Sequence, residues 1–366
     1  MTTNVMPRED NQWLSRRGIV KSSGALAATL SLAGCLGGGG SGDGAPDSLT
    51  FATWGGTWQD VCQKAALDPF AEETGIEINY MVGSESERFQ RLVAQEDNPP
   101  FDAAQYPTEY LARGENEDMF YSLDSELIPV YDKVPDTFKS DSWLVHHFTA
   151  SALVYNTNTF DSPPEDMGVY LDTDYKGRVA LGEPTQRSPA FDLMAFSLYL
   201  TDGESYKEID EAFEMYKEVV DTMDPKFPGA TEQYGKLFAN DEIDIGRIWA
   251  ARSASWAADG TAIDYVLPPN GSMTYSAGHA IPKNISENKL SAVGDLIQAF
   301  YTSDASKTFA NDMNYPTVNP DVEYSEEVQS NVPTMDDIDN LLMPDFEWVG
   351  SNRDDWTTRA NEIIQG

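Results

Sequence analysis

From Ser48 to Thr53 apolar and polar residues alternate, the period of a half-buried strand, and the spacing then shifts to that of a helix from Trp58 to Glu73. Thr57 is placed to cap that helix and Gly75 to end it. Ile76 to Met81 reads as a second strand, Ser84 to about Gln95 as a second helix, Phe101 to Gln105 as a third strand, and a short helix follows from Thr108. Strands that alternate with helices at this spacing predict a parallel sheet with helices on its faces, an α/β fold.

The pattern continues with a strand over Phe148 to Tyr155, which stops at Asn156 ahead of a loop containing Pro163 and Pro164. A fresh set of α/β units begins there: a strand at Val179 to Leu181, helices near Ala190 to Leu200, Glu208 to Met223 and Glu232 to Ala239, and strands at Ile243 to Trp249 and Ile263 to Leu267. Beyond Pro268-Pro269 come a strand around Ser276 to Pro282, helices at Leu290 to Tyr301 and Ala305 to Asp312, and a last helix near Asp354 to Ile364. No internal repeat is visible, and the break near residue 156 predicts a second lobe.

The first 35 residues are set apart from this pattern. Arg16-Arg17 precede a short apolar stretch, as in a twin-arginine export signal, and Leu32-Ala33-Gly34-Cys35 has the form of a lipobox, in which the peptide is cut and the cysteine lipidated. A bilayer span needs roughly 20 consecutive apolar residues; this run is shorter and is interrupted by Gly24 and Ser31. The leader is therefore residues 1–34, followed by a Gly-rich tether over 35–47. Cys62 is then left without a cysteine partner, so no intrachain disulfide is expected outside the cell.

Composition narrows the function. The chain of 366 residues carries 61 acidic against 24 basic side chains, a net charge of −37. Such a charge leaves no basic patch for nucleic acid, while eight Trp, 17 Tyr and 16 Phe supply core material and argue against disorder. The acidity fits a surface adapted to molar salt, where the Debye length falls to about 3 Å and self-repulsion is screened. No H-E-x-x-H, G-x-S-x-G or P-loop is present, no cofactor or metal motif stands out, and His146-His147, adjacent on a strand, are expected to point to opposite faces.

Several segments together resemble a known family. Leu49-Thr-Phe-Ala-Thr-Trp54, Phe70-Ala-Glu-Glu-Thr-Gly-Ile76, Tyr155-Asn156, Leu237-Phe-Ala-Asn-Asp-Glu-Ile-Asp-Ile-Gly246, His279-Ala-Ile-Pro282 and Asn314-Tyr-Pro-Thr-Val-Asn319 occur in the order and spacing of type II periplasmic solute-binding proteins of ABC transporters. The resemblance is greatest to the spermidine/putrescine-binding family. It implies two lobes with a ligand cleft between them and discontinuous domains, residues 48–152 and 273–318 forming one lobe, 153–272 and 319–366 the other. It also implies a monomer held to the outer face of the membrane through Cys35, a membrane permease as partner, a small organic cation as ligand, and binding without catalysis.

In that family aromatic rings enclose the aliphatic chain of a polyamine and carboxylates hold its ammonium ends. Trp54 and Trp249, at strand ends, match two of the rings; Tyr275 stands where the family has a tryptophan, and Tyr315 matches a fourth. Thr108, beside Pro107 and Glu109, falls on a ligand-contacting loop. Two positions depart from the pattern. Ala277 replaces a carboxylate, and Gly55-Gly56 replaces an acidic residue, which leaves Glu109 and Glu183 as anionic partners and brings Arg252 close behind Trp249. A polyamine is the first expectation; a thiamine-like cation, a betaine or a zwitterionic amine whose carboxylate meets Arg252 suits the same inventory. Ferric-iron capture, which relatives of this fold perform with paired tyrosines, is a remote alternative because no Tyr-Tyr pair occurs. A secreted hydrolase using two carboxylates is another.

Overall fold

The structure is a computed structural model and describes residues 45–185 and 189–366. Arg16, Arg17, Cys35 and all but the end of the tether lie outside the described residues. Among the described residues no helix is long and apolar enough to cross a membrane.

Ten strands are present among the described residues: β1 (Ser48–Thr53), β2 (Glu77–Val82), β3 (Ala103–Pro107), β4 (Lys139–Ser140), β5 (Trp143–Asn156), β6 (Val179–Ala180), β7 (Ile245–Trp249), β8 (Ile263–Val266), β9 (Ser272–Ala280) and β10 (Leu341–Leu342). Their order is β2-β1-β3-β9-β5-β7-β6, with β4 and β8 on β5 and β10 on β9. β1 runs parallel to β2 and β3, as the βαβαβ pattern requires, while β3 meets β9 antiparallel. Helices cover these strands, and the α/β two-lobe architecture expected from the sequence is the one observed.

The lobes have separate cores joined through two strands. Leu49, Phe51, Phe89, Leu296 and Phe300 belong to one; Leu153, Leu193, Phe196, Phe213 and Trp356 to the other. β5 is buried along its whole length. Its first half pairs with β9, through Thr149↔Tyr275 and Ala150↔Thr274, and from Ser151 onward it pairs with β7 and β8. Neighbouring residues on one strand thus belong to different sheets.

Some elements differ from expectation. The first helix starts at Thr57 itself, behind Gly56 at φ 65°, so Thr57 is not its cap. This helix also widens to a π-turn over Gln63–Leu67 before continuing over Asp68–Thr74. Pro69 has no N–H to donate to the preceding turn, and a wider turn accommodates its ring. β5 begins five residues earlier than the predicted strand because its polar residues, His146 and His147, are buried rather than solvent-facing. β9 starts four residues early, and the last helix spans Phe346–Gln365, with the Asp345 carboxylate accepting from Trp348 N–H as its cap.

Candidate functional site

The carboxyl ends of β1, β3 and β7 converge where the lobes meet, the position at which open α/β sheets bind ligands. They surround a cavity of about 680 Å³. β1 delivers Trp54 and the Gly55-Gly56 turn; the β3 end delivers Pro107 and Glu109; β5 and β9 deliver His147 and Tyr275. From the other lobe come Arg247 and Trp249 of β7, Arg252 and Trp256 of the helix Ala250–Ala258, Glu232, and Phe191. Tyr315 and Arg353 close the rim.

The aromatic walls are held by specific contacts. Trp54 Nε1–H donates to Glu85 at 3.0 Å, its ring meets Trp58 edge-on at 5.8 Å, and the Arg88 guanidinium lies 4.9 Å from its centroid. Across the cleft Trp249 stacks on Tyr275 at 4.4 Å, with Phe191 edge-on to Trp249 at 5.1 Å. Trp249 and Tyr275 therefore form one joint wall. A ligand cannot lie between these two rings unless they part, so they do not sandwich it as two separate plates.

The charges in the cavity are of both signs. Arg247 is 3% exposed: its Nε donates to Asp192 Oδ1 at 2.5 Å and its Nη1 to Ser151 Oγ at 2.6 Å, under the Trp249 ring. Arg252 meets only the edge of Glu232, at 4.0 Å. Glu109 has an Oε2 removed from solvent with no hydrogen-bond donor, and burial pushes its carboxyl above the usual range, opposed by nearby Arg353. A second cavity of about 720 Å³ adjoins this one through Glu109, Phe191 and Arg353.

Behind the floor runs a closed hydrogen-bond network. Gln105 Oε1 accepts from Thr53, Trp58 Nε1–H and the buried Cys62 thiol, which leaves its amide N–H to donate to His279 Nε2 at 3.2 Å. Tyr301 donates to the Leu144 and Val145 carbonyls and so accepts from His279 Nδ1–H. The network sets the orientation of Trp58, on which Trp54 and Tyr315 both rest.

The sequence profile of the family described as bacterial extracellular solute-binding protein matches residues 65–335. The chain belongs to that family. Among curated relatives, the spermidine/putrescine-binding periplasmic protein of Escherichia coli K12 is 25% identical over 274 residues, covering 72% of this chain and 76% of that protein. An ABC transporter substrate-binding protein from Bradyrhizobium japonicum USDA 110 superposes with a TM-score of 0.74 at 22% identity, over 87% of this chain and all of the other. A GABA receptor of the same fold gives 0.74 at 18% identity, over 87% and 97%. These solved structures carry the fold comparison.

Of the residues singled out in the sequence of this solute-binding protein, Trp54, Glu109, Trp249, Arg252, Tyr275 and Tyr315 line the one cavity. Two do not. Thr108 is 3% exposed and its hydroxyl is spent on Ser276, donating to the backbone carbonyl at 3.0 Å and meeting Oγ at 2.7 Å, so it braces β3 against β9 instead of reaching a ligand. Glu183 accepts from the Thr185 hydroxyl in the loop after β6 and does not line the cavity. Sequence reasoning missed Arg247, Arg353, Phe191 and His147. Arg247 was passed over because a charged residue in a short strand reads as solvent-facing, although it shares a face with Ile245 and Trp249, and Arg353 lies in the final helix, well beyond Tyr315 in sequence.

The histidines also depart from the expectation of opposite faces. Between Val145 and His147 the β5/β9 register shifts, a bulge that leaves His146 unpaired with β9. The two rings then meet edge-on, at 80° to one another, with Nδ1 to Nδ1 at 3.2 Å. His146 is fully buried, and His147 turns toward the cavity. Gly278 faces this bulge, and a Cβ there would lie 2.1 Å from the Leu144 carbonyl oxygen.

Proposed function

We propose that this solute-binding protein captures a small zwitterion, with an ammonium and a carboxylate group, between its lobes and presents it to an ABC permease without chemical change. The observation that carries the reading is the meeting in one cavity of Glu109, whose Oε2 lacks a donor, with Arg252 and Arg353. An ammonium satisfies the first and a carboxylate the others, each by a charge-assisted hydrogen bond. Aromatic walls supply the apolar contact, and hinge closure about β5 and β9 completes the enclosure. The GABA-binding neighbour supports this ligand class. A second reading, a linear polyamine, is favoured by the likeness to the spermidine/putrescine-binding protein and by Glu85 and Glu232 in the same lining. Export by Arg16-Arg17, anchorage by Cys35 and work in molar salt complete the proposal.

A thermal-shift and calorimetry panel in molar KCl tests it, with γ-aminobutyrate, proline, glycine betaine, thiamine, putrescine and spermidine. A ligand at a hundred times its dissociation constant stabilises by about 2.7 kcal/mol. Stabilisation by amino acids of the γ-aminobutyrate type is expected. Response to the polyamines alone would replace the zwitterion by the second reading, and silence across the panel would remove both.

A further inference from the structure

All three histidines of the chain, His146, His147 and His279, stand in one buried group behind the cleft floor. Their proton positions follow from their partners. The Phe300 carbonyl can only accept, so His146 Nε2 carries the hydrogen in their 3.2 Å contact. Burial pushes His146 down to about 3 and His147 well below its ordinary value, so both rings are neutral at pH 7. A neutral His146 protonated at Nε2 has a lone pair at Nδ1. The Nδ1 to Nδ1 contact then needs its hydrogen from His147. This leaves His147 Nε2 as a bare acceptor.

His147 lines the cavity, and no protein donor reaches its Nε2 among the described residues. Its ring is clamped by Trp58, at 4.6 Å between centroids, and by Tyr315, edge-on at 5.2 Å. The register shift of β5 turns it inward. We infer that His147 Nε2 is a specificity-determining acceptor that takes one N–H of the bound amine, so that the protein prefers a primary or secondary ammonium to the same compound fully N-methylated. The inference rests on the reading of the ligand as an amine and holds for a zwitterion or a polyamine. A quaternary nitrogen satisfies the carboxylate and the rings by charge but has no hydrogen for the imidazole.

Two measurements test it. With ¹⁵N-labelled histidine the three side chains are assignable through single His→Phe variants, and nitrogen spectra of the ligand-free protein should show His147 protonated at Nδ1 and bare at Nε2. A protonated Nε2 overturns the inference. Calorimetry then compares γ-aminobutyrate with its N-trimethyl analogue, or spermidine with its permethylated form if only polyamines bind. The wild type should favour the N–H form roughly tenfold or more, His147→Phe should bind the two within about twofold, and His147→Gln, which keeps an acceptor near the Nε2 position, should restore part of the preference. Equal binding of both forms by the wild type, or a preference that survives in His147→Phe, overturns the inference while the amine reading stands. Binding of no amine at all brings down both.

Discussion

Replacing Arg247 by Met should destabilise this protein far more than the loss of a surface ion pair. The guanidinium and the Asp192 carboxylate are 3% and 1% exposed and 2.5 Å apart, and Arg247 also ties Ser151 at the point where β5 changes partners. Without it, Asp192 retains only the Gly182 backbone N–H at 3.2 Å in a buried setting. Removing one member of a buried pair costs about 3 to 5 kcal/mol, because the other charge is left uncompensated. Since an exposed pair contributes about 0 to 1 kcal/mol, the two cases are well separated. Denaturant unfolding of Arg247→Met, monitored by tryptophan fluorescence, should show that loss at both low and molar salt, because a buried pair is little screened. The double variant Arg247→Met with Asp192→Leu should recover most of the stability, as apolar replacement of a whole buried pair often does. A loss below about 1 kcal/mol, or one that changes strongly with salt, would refute the reasoning.

Other consequences are open to measurement. Gly278→Ala should cost about 3 kcal/mol, the upper end of overpacking, because the new methyl group meets backbone atoms of Leu144 and Val145 that cannot swing aside; an unchanged denaturation midpoint would mean that the bulge relaxes freely. Acid should destabilise the fold through the buried histidines. Below pH 6.5 the unfolded chain binds protons that folded His146, held at about 3, does not, so stability falls with pH by up to about 1.4 kcal/mol per unit from this residue alone. His147 and His279 act in the same direction. Denaturant midpoints between pH 5 and 7 should fall less steeply in His146→Phe than in the wild type, and identical slopes would count against it.

How much of this was legible in the sequence depended on whether a residue's role was local. Trp54 and Trp249 end alternating strands, and Tyr275 lies on one, so they could be placed at the cleft from pattern and resemblance. His147 could not: the two-residue period of a strand sends neighbours to opposite faces, and only the bulge opposite Gly278, a pairing across more than a hundred residues, reverses that. Arg247 lies in Ile245-Gly-Arg-Ile-Trp, where its charge suggests a solvent-facing side chain although the strand period puts it beside Ile245 and Trp249; lobe packing covers both faces. The early start of the final helix was hidden by Gly350, Ser351 and Asn352, although Pro344 followed by Asp345 is an ordinary start signal. Thr108 opens the helix that the pattern predicts, but its place among the ligand contacts came from resemblance alone, and the pairing that turns its hydroxyl to Ser276 is too distant in sequence to be read.

β5 and β9 have a consequence for the time course of biosynthesis. β3 finds its second neighbour only in β9, so the first sheet stays open until residue 280 has emerged. The second core in turn contains Met273 and Trp356, the latter from the final helix. Neither lobe is a contiguous piece of chain that can complete itself early on the ribosome. Contacts this distant in sequence slow folding and leave partly formed sheets exposed. The second lobe thus remains an unfinished substrate for chaperones until the final helix is made, and a fragment truncated before that helix carries the residues of the first core beside an open second one.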